Sequence, residues 1–383
     1  MDIDILINQV DKHNEVNILA TRRFNAKKVI FIYRKEDISL LESLKKYYST
    51  YLPNIILEDY LVVEGDLKLL DSIITSNKNK PILINLTGGS RIISLQMLNI
   101  CRSNLIKSIY IDIKNKYLYV FENEIEVIKE EFEDLDLDLD KLIKSSGGEV
   151  INDSTDLSNK EDLIIITKAI YKNLEIWHKY KQKLYDSDIF IHYAEEPKTI
   201  SVNLDLLTLE EKSLLNKILI NLKKLDGIDY INELDNKIKV HFRNEYLKSF
   251  IFKSGTWLEV ATNNMINEIK EIDEVKSGVM FLWNDKSKVV RNEVDVIAVK
   301  DSIAICISCK DSDKYNENTL NELDVYSNKV GGKNVYKILV ATKEPAKTAV
   351  KDRAREMGIS IIIFDGNEEN FKNKIKEAIS RRE

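Results

Sequence analysis

Near the C-terminal end of the chain, acids and one lysine are spaced for chemistry on phosphodiesters. Glu259 closes Gly255-Thr-Trp-Leu-Glu259, Glu293 and Asp295 lie in Asn292-Glu-Val-Asp295, and Lys310 ends Ser308-Cys-Lys310. Carboxylates are hard oxygen ligands for a divalent cation. A lysine beside them can hold an attacking water and offset charge growing on a scissile phosphate. Glu293 and Asp295 are two residues apart, so on a strand they share a face, as do Ser308 and Lys310. The turn at Lys300-Asp301-Ser302 joins the two segments as a hairpin. With a two-residue turn, Asp295 pairs with Cys306 or Ser308, and Asp295 and Ser308 stay on one face within ~8 Å. A three-residue loop would place them on opposite faces. Glu259 comes from the preceding helix and can reach the same face. Glu322 and Tyr326, four apart on the following helix, read first as a solvated helix face and second as a substrate contact.

A second chemical signal lies earlier. Asn85-Leu-Thr87-Gly88-Gly89-Ser90-Arg91 follows an apolar strand and opens a helix. Two glycines let backbone N–H groups approach an anion, and a helix N-terminus favours negative charge. Thr87 and Ser90 add hydroxyls and Arg91 a cation. The Walker spacing and its lysine are absent, so this is not a P-loop. On spacing alone, a purely structural turn remains the other reading.

The elements that must hold these groups follow from apolar patterning. Short apolar strands at Ile3 to Ile7, Val29 to Tyr33, Tyr60 to Val63, Ile82 to Asn85 and Ile109 to Ile113 alternate with helical patterns at Ile38 to Tyr48, Leu67 to Ile74 and Ile92 to Cys101. This predicts a mostly parallel, doubly wound sheet, with Tyr117 to Phe121 as an appended antiparallel strand. Glu130 to Asp140 is acidic and reads as a solvated strand or linker, and Ser145-Ser-Gly-Gly148 as a flexible joint. The middle third predicts helices at Lys160 to Leu184 and Lys212 to Leu225, the second opened by a capping box at Thr208 to Glu211. Ile228 to Ile231 and Ile238 to Phe242 read as a two-stranded wing, which suggests a small winged-helix-like module. The last third reads helix, three strands, helix, strand, then a further helix and strand.

The 383 residues suit two or three domains, with 44% hydrophobic and 31% charged residues, ordinary values for a globular protein. A net charge of −6 gives no global basic field, so constitutive, tight, non-specific nucleic-acid binding is not expected. The three cysteines have no framework spacing and read as reduced, with no zinc pair among them. No signal peptide and no run of ~20 apolar residues is visible, so a cytoplasmic protein without a membrane span is expected. All four histidines precede residue 250, which argues against a Ser/His or Cys/His pair in the last domain.

Both ends of the chain resemble known families. Residues 1 to about 125, through Asn-Leu-Thr-Gly-Gly-Ser-Arg, resemble the CRISPR-associated Rossmann-fold sensor domain called CARF. The segment from about 254 to 383 resembles the PD-(D/E)xK nuclease superfamily, and with Gly331-Gly332 it looks like the CRISPR ancillary nucleases that join the two. The resemblance implies three parts: a sensor at 1–145, a helical linker with the winged-helix-like element at 146–250, and a restriction-endonuclease-like αβββαβ domain at 251–383. It implies a homodimer that binds cyclic oligoadenylate, tetra-adenylate favoured, through Thr87, Gly88, Gly89, Ser90 and Arg91, with Asp11 and Asn14 as a second contact. It implies Mg²⁺ or Mn²⁺ held by Asp295, Glu259 and Glu293, with Ser308 orienting a ligand water and Lys310 beside the attacking water. Substrates would be single-stranded DNA or RNA in type III CRISPR defence. Ser308 stands where the family has an acid, which leaves fewer carboxylates for the metal. The alternative is a ligand-responsive transcription regulator with a degenerate nuclease domain.

Overall fold

The computed structural model describes residues 3–122, 127–133, 136–232, 235–253, 255–285 and 288–380. Strands and helices alternate through the first third: β1 (Ile5–Gln9), α1 (Glu15–Arg23), β2 (Lys28–Tyr33), α2 (Ile38–Tyr51), β3 (Ile56–Leu61), α3 (Leu67–Thr75), β4 (Ile82–Asn85), α4 (Arg91–Ser103), β5 (Ser108–Asp112), β6 (Tyr117–Phe121) and β7 (Val127–Glu131). They form one sheet in the order β3-β2-β1-β4-β5-β6-β7. The first five strands are parallel, and β6 and β7 add an antiparallel edge. Leu6, Ile7, Ile30, Phe31, Leu83 and Ile84 are fully buried, as strands covered on both faces must be. The strand order reverses between β1 and β4, so the loops leaving these two strands open a crevice at the sheet's carboxyl edge. The acidic stretch supplies the last two residues of the exposed β7 and then a cap: Asp138 accepts the Lys141 amide at 2.8 Å and starts the next helix.

The middle of the chain runs α5 (Leu139–Ser145), β8 (Gly148–Asn152), α6 (Thr155–Ser158), α7 (Glu161–Tyr171), α8 (Leu174–Tyr180), β9 (Phe190–His192), β10 (Thr199–Asn203), α9 (Leu209–Lys224), β11 (Ile228–Asn232), β12 (Lys237–Phe242) and α10 (Glu245–Phe252). Three expectations change here. The helix expected over Lys160 to Leu184 is broken at Asn173, and the two-stranded wing is half of a four-stranded antiparallel sheet, β11-β12-β10-β9. The flexible joint is packed: Ser145 is fully buried, and a Cβ on Gly148 would sit 2.5 Å from the Trp283 ring. The capping box forms as expected, with Glu211 N–H donating to Thr208 Oγ1 and Thr208 N–H to the Glu211 carboxylate.

The last third reads α11 (Thr256–Asn267), β13 (Glu274–Asp285), β14 (Lys288–Lys300), β15 (Ile303–Lys310), α12 (Glu317–Gly331), β16 (Tyr336–Ala341), α13 (Ala349–Glu356), β17 (Ile359–Ile363) and α14 (Glu368–Ser380). Its sheet is β17-β16-β15-β14-β13-β8, so the strand after the packed joint becomes its edge. One apolar core runs without a break from the first sheet into this one. Phe132, Leu137, Leu139 and Ile143 share it with Val279, Phe281 and Trp283. The opposite face of the C-terminal sheet packs on α11 and α14 and joins the middle segment. Among the described residues, no helix is long and apolar enough to cross a membrane.

Candidate active site and anion-binding loop

The hairpin between β14 and β15 sets the first site. Lys300 pairs with Ile303, leaving Asp301 and Ser302 as the two turn residues, at φ of 51° and 60°. Positive φ at both positions is the turn whose twist matches two right-twisted strands. From Val296 opposite Ile307, one more step of register sets Asp295 opposite Ser308. Asp295 Oδ2 then accepts from Ser308 Oγ at 3.1 Å and the Cys309 amide at 2.6 Å, and Lys310 Nζ forms an ion pair with it at 3.6 Å. The two-residue turn thus puts the acid, the hydroxyl and the lysine around one oxygen.

Glu259 lies in the first turn of α11, which packs across β13, β14 and β15. Burial raises its carboxyl to about 7, and the charges of Asp295 and Glu293 add to the rise while Lys253 and Lys310 oppose it. Glu293 is exposed one strand repeat before Asp295. Among the described residues, no three His, Cys, Asp or Glu side chains stand grouped closely enough to hold a metal ion. Tyr326 is half-buried and hydrogen-bonded with Glu322, whose charge adds to the burial that raises its phenol.

The residue after Lys310 was not singled out from the sequence. Asp311, with its side chain 2% exposed, accepts from Trp177 Nε1 at 2.7 Å, Trp257 Nε1 at 2.9 Å and Thr342 Oγ1 at 2.8 Å. The two indoles share Oδ2, while His178 Nε2 at 3.2 Å and Lys181 Nζ at 3.1 Å join Thr342 at Oδ1. Burial alone would raise this carboxyl, but the indole hydrogen bonds and the Lys181 charge hold it below the usual range. The node ties the middle segment to the end of β15, directly behind Lys310. Through the node His178, which precedes residue 250, reaches the C-terminal sheet through space and meets Asp311 and Thr342. The acid after Lys310 was visible in the sequence, but its two tryptophan partners lie more than 50 residues away in the chain.

At the other end, the crevice between β1 and β4 is lined as the loop motif suggests. Asn85 is buried and its Oδ1 takes both the Thr87 amide and hydroxyl, while Thr87 Oγ1 also accepts the Ile111 amide at 2.8 Å. Gly89 has φ +78°, and a Cβ there would lie 2.6 Å from the Gln9 side chain, so two constraints require glycine. The Gly89 amide donates to Asp11 Oδ2 at 3.0 Å, and Gly88 faces the same carboxylate. Ser90 precedes α4 but its hydroxyl turns to Glu64, so no side chain caps that helix. Arg91 is exposed. Asn14 is fully buried, bracing the loop through the Asp11 amide and carbonyl and the Ser145 carbonyl.

This loop also touches the C-terminal domain. A Cβ on Gly332 would lie 2.4 Å from the His13 ring, and Gly332 itself has φ +57°. Glu15 is raised to about 7 by burial first, with the Asp11 charge adding, while a hydrogen bond from Asn334 opposes the shift. A second seam grips the hairpin turn. Leu137 N–H donates to Ser302 Oγ at 2.9 Å, and Lys116 Nζ lies 2.7 Å from Asp301 Oδ1.

With this geometry in view, the likeness to known proteins is informative. Residues 246–382 match the family model of the Card1-like endonuclease domain. No curated protein matches the chain in sequence. In fold, it is similar to the crystal structure of protein VC1899 from Vibrio cholerae, with a TM-score of 0.75, 17% identity, and 98% of this chain and 97% of that one covered. It is also similar to Can2 from Sulfobacillus thermosulfidooxidans, solved in complex with cyclic tetra-adenylate, with a TM-score of 0.71, 17% identity and coverage of 99% and 98%. A type III CRISPR defence DNA nuclease activated by cyclic oligoadenylate aligns with a TM-score of 0.54 at 13% identity, over 91% of this chain and 48% of that one. The resemblance to CRISPR ancillary nucleases therefore holds in sequence over the C-terminal domain and in fold over nearly the whole chain.

Proposed function

We propose that this protein is a cyclic-oligoadenylate-activated, metal-dependent endonuclease of type III CRISPR defence, working as a homodimer on single-stranded DNA or RNA. The observation that carries the reading is the convergence on Asp295 Oδ2 of Ser308, the Cys309 amide and Lys310, inside the segment matched by an endonuclease family. Paired beside Glu259, these are the parts of a phosphodiester-cleaving centre.

Asp295 and Glu259 offer the hard carboxylate oxygens that Mg²⁺ or Mn²⁺ takes, a pair rather than a closed cage. Glu259 is raised first by burial and further by the charges of Asp295 and Glu293, a repulsion that a cation would relieve. Mg²⁺ keeps several waters and needs one or two carboxylates, so Asp295 and Glu259 would hold it, with Glu293 reaching it through water. When bound, the ion would polarise the scissile phosphate and lower the pKa of a water. The chain's own groups do the rest. Ser308 and the Cys309 amide fix the Asp295 carboxylate in place. Lys310, the last residue of β15 and next to the buried Asp311 node, presents an ammonium to the attacking oxygen and to the phosphate charge that grows in the transition state.

At the other end, cyclic oligoadenylate, tetra-adenylate favoured, would lie against Thr87, Gly88, Gly89, Ser90 and Arg91. A phosphate would take the Gly89 amide that Asp11 now occupies. Displacing Asp11 would shift the loop that carries His13 against Gly332 and Glu15 toward Asn334, at the C-terminal end of α12. Activation then requires that the ligand bind the displaced loop better than the resting one. Ile92 and Leu95, exposed on the first turns of α4 just beyond the loop, support a two-fold contact there.

The test is cleavage of labelled single-stranded DNA and RNA with Mn²⁺ or Mg²⁺, with and without cyclic tetra- and hexa-adenylate, beside Asp295→Ala. Cleavage that needs the metal, one cyclic ligand and Asp295 supports the reading. Ligand binding without cleavage under any condition sinks it and favours the regulator.

A further inference from the structure

Between the middle sheet and α10 lies an open cleft of about 470 Å³ that the proposed mechanism has not used. Such a volume falls in the range of about 300–1,000 Å³ usual for ligand sites. Its floor is aromatic. The His192 ring meets Phe252 edge-on with centroids 4.8 Å apart, and Phe252 is itself held by Phe190 at 5.5 Å and Phe242 at 6.3 Å. His192 is exposed at the cleft.

The rim is cationic. Lys248 Nζ donates to the Pro197 carbonyl at 2.6 Å and to the Thr199 carbonyl at 3.1 Å, which leaves one ammonium proton and the whole charge for a visitor. Lys253 is exposed at the end of α10, with Glu245 the one acidic lining residue. Lys253, on the rim of the cleft, points the way to the acidic site. Lys253 is two residues before Gly255, the φ +91° residue from which α11 starts toward Glu259, and its charge is felt at the Glu259 carboxyl.

We propose that this cleft holds the substrate strand: an unpaired nucleobase stacks on His192 over Phe252, and the adjoining phosphates meet Lys253 and Lys248. The next phosphodiester is then delivered to Asp295, Glu259 and Lys310. Base–aromatic stacking beside backbone cations is how proteins take single strands without reading sequence. A duplex, whose bases are already stacked and paired, would not fit without opening, so the cleft selects single-stranded nucleic acid. Glu245 offers an acceptor to base amino groups or a ribose hydroxyl.

The inference rests on the nuclease reading only for where the strand leads, and the experiment keeps the two apart. Binding of a fluorescein-labelled oligodeoxythymidylate and an oligouridylate to the full-length Asp295→Ala protein, in EDTA, is followed by anisotropy at several salt concentrations. His192→Ala in that background weakens binding by about tenfold, and His192→Tyr restores most of it, a rescue that a merely structural role would not give. Lys253→Gln lowers the salt slope by about one. In the cleaving protein, His192→Ala raises KM while kcat holds, since the ring does not touch the reacting phosphate. A wild type that binds the strand through His192 but never cleaves leaves the cleft standing and removes the nuclease. Unchanged affinity and KM in a folded His192→Ala protein overturn the cleft.

Discussion

The two ends of the molecule present opposite electrostatic problems. The crevice between β1 and β4 offers amides and hydroxyls for an anion, and the Gly89 amide is already taken by Asp11. The C-terminal hairpin gathers acids, and burial beside Asp295 and Glu293 leaves Glu259 raised to about 7. One site is internally satisfied and must be opened by its ligand. The other is internally repelled and is completed by a cation. The difference fits a device that stays quiet until a signal arrives, because the satisfied end resists accidental occupancy while the repelled end has its chemistry built.

The comparison breaks most sharply at Asp295. Asp295→Ala removes the acceptor for Ser308 and the Cys309 amide together with the ion-pair partner of Lys310. Cleavage should fall at least about 100-fold, with activator affinity unchanged, read by gel assay and by calorimetric titration of the cyclic ligand. Loss of activator binding as well would mean that the two ends are not separable. Gly89→Ala is the mirror experiment. It forces a Cβ into Gln9 at φ +78°, so the loop must shift. Activator affinity should drop by about tenfold or more, matching the roughly 1–3 kcal/mol of such backbone strain, while metal binding at the acidic site stays intact.

A pH series sharpens the contrast between two raised glutamates. Glu15, at the seam, and Glu259, at the acidic site, both sit near 7 against an ordinary value of 4.5. For an acid whose folded pKa lies above its unfolded one, the folded state holds the proton longer. The stability this gives is present below 4.5 and is lost as pH rises toward about 7. For fully buried Glu15 the loss is roughly 3 kcal/mol. Glu15→Gln should therefore flatten the fall of Tm between those limits, and adding Mg²⁺ or Mn²⁺ should not change that part. The part owed to Glu259 should be recovered by the metal, with proton release on binding. A metal-insensitive Tm profile in the Glu15→Gln protein would remove the cation from the acidic site.

Much of the fold was legible in the sequence because it is locally written. Strand–helix alternation, the capping box at Thr208 and the turn at Asp301-Ser302 each depend on neighbours a few residues apart. The turn length alone decided that Asp295 faces Ser308. What was not legible is contact between remote segments. Short Thr199–Asn203 completes a four-stranded sheet only because β12 offers an edge, and β8 is recruited across more than a hundred residues. The Asp311 node and the His13 contact at Gly332 leave no periodicity at all. Their donors were visible as residues, but nothing in their spacing names the partner.

The mildest effect should come from Ser308, and it tests why the acidic end tolerates a hydroxyl there. Ser308 Oγ gives Asp295 one of its three contacts, and the Cys309 amide and Lys310 remain when it is removed. Ser308→Ala should therefore reduce kcat by less than about tenfold, since one hydrogen bond contributes roughly 0.5–1.5 kcal/mol. Ser308→Asp tests the same position from the other side. A fourth carboxylate would deepen the repulsion in the metal-free protein and lower its Tm, while raising Mg²⁺ or Mn²⁺ affinity in direct titration. If Ser308→Asp leaves metal affinity unchanged, the ion does not sit between β14 and β15, and the acids there are better explained as a strand-positioning cluster than as ligands.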